Sequence, residues 1–102
     1  MSTSKASPVT LSKLLSRHEV AERTIAFRFE KPSKWTFKAG QFLDMTLLDP
    51  SETDAEGDTR TFSIASAPHD ETLMVATRMR DTAFKRVLNT MPLESAIKIE
   101  GP

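Results

Sequence analysis

Cysteine is absent from this 102-residue chain, which excludes disulfides, thiolate zinc sites and cysteine-ligated iron–sulfur clusters within it. Glycine is scarce: only Gly40, Gly57 and Gly101 occur, too far apart for a Gly-x-Gly-x-x-Gly fingerprint or a Walker loop. Rossmann-type dinucleotide binding is thereby excluded in this sequence. No stretch approaches the roughly 20 apolar residues of a membrane span, and the Ser/Thr-rich opening lacks the apolar core of a signal peptide. The expectation is a cytoplasmic protein with no membrane span. An excess of either charge is also missing. Fourteen basic residues balance fourteen acidic ones, so no nucleic-acid partner is expected and any anion site has to be local. His18 and His69 stand far apart with no ligand set at metal spacing, and both read as surface residues. No serine has a nucleophile-elbow context, which argues against acyl transfer.

What is present reads as one folded domain after a polar tail, the tail over residues 1–9 and the domain over 10–102. Leu11 to His18 is a first strand, followed by a polar turn from Val20 to Arg23. In the segment from Thr24 to Glu30, Ile25, Phe27 and Phe29 alternate with Ala26 and Arg28, the period of a half-buried strand. Pro32 and Ala39-Gly40 bound a loop before a third strand from Gln41 to Leu48. Five acidic residues between Asp49 and Thr59, with Pro50 and Gly57 and no large apolar side chain, make a solvated loop whose acidity reads as solubility. Arg60 to Ser66 and Thr72 to Arg78 are two further strands, paired as a hairpin across Pro68, His69 and Asp70. Phe84, Val87, Leu88 and Met91 then fall at i, i+3, i+4 and i+7, the stripe of an amphipathic helix limited by Pro92. Ala96 to Glu100 supplies a last strand. Six strands and one helix predict an all-β fold, a six-stranded antiparallel Greek-key barrel with one capping α-helix.

The segment with the most chemistry is Arg60-Thr61-Phe62-Ser63-Ile64-Ala65-Ser66. A guanidinium offers a planar fork of donors that matches phosphate oxygens, an aromatic face stacks on a flat heterocycle, and a small hydroxyl hydrogen-bonds without blocking approach. The segment resembles the Arg-x-Tyr-Ser-x-Ala-Ser signature of the ferredoxin-NAD(P)H reductase family, whose members hold FAD or FMN on a six-stranded barrel. By that resemblance Arg60 binds a flavin phosphate, Phe62 packs on the isoalloxazine ring and Ser63 lies close to flavin N5, as the residue nearest the catalytic atoms. Phe62 stands where the family usually has tyrosine. Period-two geometry puts Arg60 and Phe62 on one side of a strand and Ser63 on the other, so the strand must end or twist near Ser63 for all three to serve one flavin.

Other segments resemble the family in the family's order. Phe37-Lys38-Ala39-Gly40-Gln41-Phe42 is similar to its aromatic-x-Ala-Gly-Gln-aromatic segment. Val75-Ala76-Thr77-Arg78 is similar to the strand whose last residues line the cofactor, which implies contacts from Thr77 and Arg78. At the helix entry, Arg80-Asp81-Thr82-Ala83-Phe84-Lys85, unpaired N–H groups and a partial positive charge suit a phosphate whatever the side chains, with Asp81 or Thr82 as the competing N-cap. Thr82 and Lys85 depart from the family's Gly-x-x-Ser/Thr, leaving the amides of Ala83, Phe84 and Lys85 as the donors. Glu94 stands where many relatives have glycine. Ile97 to Pro102 is similar to the exit strand and Gly-Pro beyond which relatives continue into a nicotinamide-binding domain, so NAD(P)H and an electron-transfer partner are expected to engage a part of the protein outside this sequence. The family resemblance implies a flavin-dependent NAD(P)H oxidoreductase; the rival reading is a cofactor-free barrel that serves as a protein interaction module.

Overall fold

A computed structural model describes residues 9–32 and 35–101. Most of the expected tail, residues 1–8, lies outside the described residues, and Val9 already pairs with Glu100. The elements follow as β1 (Val9–Ala21), β2 (Thr24–Glu30), β3 (Phe42–Leu47), β4 (Thr59–Ser63), β5 (Thr72–Arg78), α1 (Ala83–Thr90) and β6 (Ala96–Glu100). All ladders are antiparallel, in the order β4-β3-β6-β1-β2-β5.

Strand β1 is long because it serves two partners in succession. Val9 to Lys13 pair with β6, and Leu14 to Ala21 pair with β2, with a register shift between Leu14 and Ser16 where the change is made. A bulge at such a point bends the strand and sharpens its twist, letting one strand turn the corner between two parts of a sheet. The strands present alternate apolar side chains to one interior: Phe27 and Phe29 from β2, Leu43, Met45 and Leu47 from β3, Leu73 and Val75 from β5, Ile97 and Ile99 from β6. Helix α1 closes that interior with Phe84, Val87 and Leu88. Burying each such Leu, Ile, Val or Phe contributes about 1.5–3 kcal/mol. The expected loop after β2 also adds to the core, since Trp35 and Phe37 fold inward with ring centroids 5.6 Å apart.

The all-β class, the six antiparallel strands and the single helix are as the sequence implies; the closed barrel is not. The ladder ends on β4 at one side and β5 at the other, so these strands are the two edges of an open sheet and form no hairpin ladder. Among the described residues the hydrogen bonds between their two segments come beyond β4, where Ala65 N–H donates to Met74 O at 2.8 Å and Met74 N–H donates to Ser66 Oγ at 3.0 Å. The reason lies in their partners: β4 satisfies its backbone against β3 and β5 against β2, leaving a connection of Pro68, His69 and Asp70 to bridge the gap.

Before β6 the chain turns at Glu94, whose φ is 77°. That conformation favours glycine, which fits the glycine many members of the resembled family carry there. It is held by Glu94 N–H donating to Leu14 O at 2.7 Å and Leu14 N–H donating to Ser95 O at 2.9 Å.

Candidate cofactor site

Strand alternation sets the stage. Along β4, Arg60 and Phe62 turn inward while Thr61 and Ser63 face out, and the strand ends at Ser63 as the motif requires. Phe62 is only 8% exposed and packs on Phe84 with ring centroids 5.9 Å apart. The Arg60 guanidinium lies 5.1 Å from the centroid of Phe84, a cation–π distance. One ring of α1 therefore carries both the inward residues of the Arg60 to Ser66 motif.

The Phe37 to Phe42 segment abuts the same strand. Gly40, at φ 83°, makes the turn that lets Gln41 N–H donate to Lys38 O at 3.1 Å. Gln41 O then accepts from Ile64 N–H at 2.8 Å, and Phe42 pairs with Ser63. Thr61 Oγ1 donates to Asp44 Oδ1 at 2.5 Å across the outer face.

Thr82 is the N-cap of α1, which resolves the choice between it and Asp81: its Oγ1 accepts from Lys85 N–H at 3.3 Å. The Lys85 ammonium donates to Arg78 O at 2.7 Å and so ties the end of β5 to the helix entry. Thr77 is half-buried beside it and its hydroxyl reaches Arg78 O at 3.4 Å. Burial first, then the nearby Arg80 and Arg60 charges, push the Lys85 ammonium below its ordinary pKa. A cation held down by two like charges is in a local field that favours an anion. The structure thus gathers Arg60, Phe62, Ala83, Phe84 and Lys85, with the Arg78 carbonyl, at one corner, while Thr61 and Ser63 sit on the outer face of the same edge strand.

Three side chains at this corner were not among the sequence-derived candidates. Asp54 Oδ2 accepts from Ala83 N–H at 2.9 Å, on the first residue of the helix. Glu52 pairs in bidentate fashion with Arg86, Oε1 to Nη2 at 2.8 Å and Oε2 to Nε at 3.1 Å, and Arg86 also bonds Asp81. Glu56 Oε1 accepts from Arg60 Nη2 at 3.1 Å, and Arg60 Nη1 donates to the carbonyls of Glu56 at 3.0 Å and Gly57 at 3.3 Å. Bonds from Ala83 N–H and Glu56 N–H hold the Asp54 carboxyl below its ordinary pKa, and the bond from Arg86 does the same for Glu52. The acidic loop is therefore seated on the cationic corner. The sequence alone reads the acidity of this loop as solubility, because a carboxylate in an irregular loop carries no local mark of the partner it finds.

Two surface concavities lie elsewhere. One of about 290 Å³ runs between Leu47–Ser51 and the C-terminal half of α1, and one of about 570 Å³ lies beside Leu11, Lys31 and Glu71; neither is lined by the nine candidate residues. His18 and His69 are exposed, as expected. Among the described residues no helix is long and apolar enough to cross a membrane.

No family model matches the chain, and no curated protein matches it by sequence. Solved structures do. A ferredoxin NADP+ reductase from Neisseria gonorrhoeae with bound FAD and NADP is 23% identical, with a TM-score of 0.74 over 90% of this chain and 36% of its own. The siderophore-interacting protein SipS from Aeromonas hydrophila is 17% identical, with a TM-score of 0.72 over 94% of this chain and 43% of its own. The cytochrome b5 reductase domain of Ulva prolifera nitrate reductase is 14% identical, with a TM-score of 0.64 over 93% of this chain and 41% of its own. The chain spans about two fifths of the length of these proteins or less. At these identities the likeness concerns the fold, and it meets the resemblance carried by the motifs: this chain has the fold of ferredoxin-NADP reductase-type flavoprotein domains.

Proposed function

We propose that this chain is the flavin-binding part of an NAD(P)H-dependent oxidoreductase of the ferredoxin-reductase type. The observation that carries the reading is the convergence of the Arg60 guanidinium, the Lys85 ammonium and the α1 N-terminus beside Phe62 and Phe84. The residues fit such a group in the part that would take phosphate, because a carboxylate, that of Asp54, already rests on Ala83 N–H as an anion does.

In this reading Arg60 and the amides of Ala83 and Phe84 hold the phosphate of FAD or FMN, while Lys85, whose N–H is taken by Thr82 Oγ1, contributes its ammonium charge. Phe62 backs the ring through its small exposed fraction, buttressed by Phe84. Ser63 offers a hydroxyl from the outer face at the end of β4, and Thr61 lines the same face. Both faces of β4 serve one ligand because β4 is an edge strand, open along its free side. Thr77 and Arg78 approach from the other edge strand. The flavin supplies the hydride and electron chemistry; the chain binds it, orients it and places a hydrogen-bond donor beside it. NAD(P)H and an electron-transfer partner belong to the whole protein, and the chain by itself is expected to bind flavin without nicotinamide-dependent turnover.

The test is to titrate the purified chain with FAD, FMN and riboflavin, following flavin fluorescence and retention through desalting. FAD or FMN is quenched and retained. Arg60→Ala weakens that nucleotide about 10- to 100-fold, the range for a lost charge-assisted hydrogen bond, and leaves riboflavin, which has no phosphate, unchanged. A folded chain that retains no flavin favours the interaction module, and an equal loss for riboflavin removes Arg60 from the phosphate.

A further inference from the structure

We infer that the acidic loop, residues 51–58, is a built-in competitor of the phosphate ligand, occupying the anion corner until a phosphorylated ligand displaces it. This rests on the flavin reading for the identity of the ligand.

Three contacts carry it, and each uses a group the phosphate would need or one beside it. Asp54 takes the N–H of Ala83, Glu56 takes the guanidinium of Arg60, and Glu52 takes that of Arg86. The carboxylates thus cover the helix entry and the motif arginine together. Thr82 caps the helix at Lys85 N–H, so Asp54 satisfies a further free donor of the first turn, Ala83 N–H, the kind of donor an anion takes.

The seat is also one that can be left. Residues 51–56 are all exposed, and nothing in the segment is buried in the core. Glu56 is 62% exposed and Glu52 is 44% exposed on the side chain. Exposed ion pairs of this kind contribute little net stability, so exchanging them for pairs with a phosphate costs little. A phosphate concentrates its charge and its acceptor oxygens in one group and is drawn to the same field. Gly57, at φ 85°, and the bond from Leu47 N–H to Asp58 O at 3.0 Å mark the point where the loop rejoins the sheet. Release therefore requires movement only of the segment before Gly57.

Because loop and ligand exclude one another, the apparent affinity for ligand is reduced by the fraction of molecules in which the corner is free. A corner free about one tenth of the time costs about tenfold. The experiment compares the chain with the double variant Asp54→Asn, Glu56→Gln, which keeps the side-chain shapes and removes the charges. A control, Glu30→Gln with Glu71→Gln, makes the same change in net charge at the far end of β5.

The account expects FAD to bind the loop variant about tenfold more tightly, with riboflavin unchanged and the control unchanged. Unchanged or weaker FAD binding by the folded loop variant overturns it, as does an equal gain in the control. Should neither protein bind flavin, the amide resonance of Ala83 is followed during titration with inorganic pyrophosphate. A shift at lower pyrophosphate in the loop variant upholds the competition while the flavin reading falls, and shifts at equal concentrations overturn the competition as well.

Discussion

The two ends of α1 are each capped by an oppositely charged side chain from a distant part of the sequence, but they are capped differently. At the C-terminus, Arg17 reaches across from β1 and donates from Nη2 to Leu88 O at 3.1 Å and Met91 O at 2.5 Å. At the N-terminus, Asp54 arrives from an irregular loop to accept from Ala83 N–H. Both complement the helix dipole. Arg17 stands on β1 where that strand is paired with Phe27 of β2, and burial pushes its guanidinium below its ordinary pKa. Asp54 is exposed and stands on a segment without core contacts. One end is a fixed anchor, and the other is a contact open to exchange. The difference suits the proposed phosphate site, which needs an exchangeable contact at the N-terminus of the helix while Phe84, Val87 and Leu88 stay in the core.

The largest effect in this comparison belongs to the anchor. Arg17→Ala removes hydrogen bonds from a charged donor and leaves two carbonyls at the helix end without that partner, which costs about 2–3 kcal/mol. For a domain of this size that lowers the thermal midpoint by roughly 10 °C or more. A midpoint that does not move would mean that water replaces Arg17 freely, and the contrast between the ends would be lost.

A smaller effect is expected on acidification, at the other end only. The Asp54 and Glu52 carboxyls have folded pKa values below their ordinary 3.8 and 4.5. Their contributions are complete above those ordinary values and are lost as pH falls through the lower folded ones. The thermal midpoint should therefore begin to fall as the pH drops below about 4.5 and go on falling below 3.8, and Asp54→Asn should flatten part of that fall. The slope should be the same in Arg17→Ala, because the two ends share no partner. A steeper or shallower slope in that variant would show the ends to be coupled.

How much of this was legible in the sequence follows from what each residue's neighbours are. Strands β2, β5 and β6 run as their alternation indicates, because positions such as Ile25, Phe27 and Phe29 have local reasons to face one way. Partner choice has no such local mark. Arg60 to Ser63 and Thr72 to Arg78 are separated by a turn that looks like a hairpin, yet each strand finds its ladder elsewhere. The Arg60 to Ser66 motif and the helix entry were visible because their residue types carry their chemistry with them. Asp54 was not, since a carboxylate in a Pro- and Gly-bounded loop looks the same whether it faces water or a helix end 29 residues away. Arg17 was hidden for a related reason: it occupies an ordinary polar position of a strand, and its acceptors lie more than 70 residues on.

The most direct test of the account is a map of backbone amide shifts on titration with FAD. The account predicts that Ala83, Phe84, Lys85 and the Thr61 to Ser63 stretch move together with the residue 52–56 loop, while Leu88, Met91 and Arg17 hold still. Shifts centred on the groove of Leu47, Pro50 and Met91, with the helix entry unmoved, would contradict it.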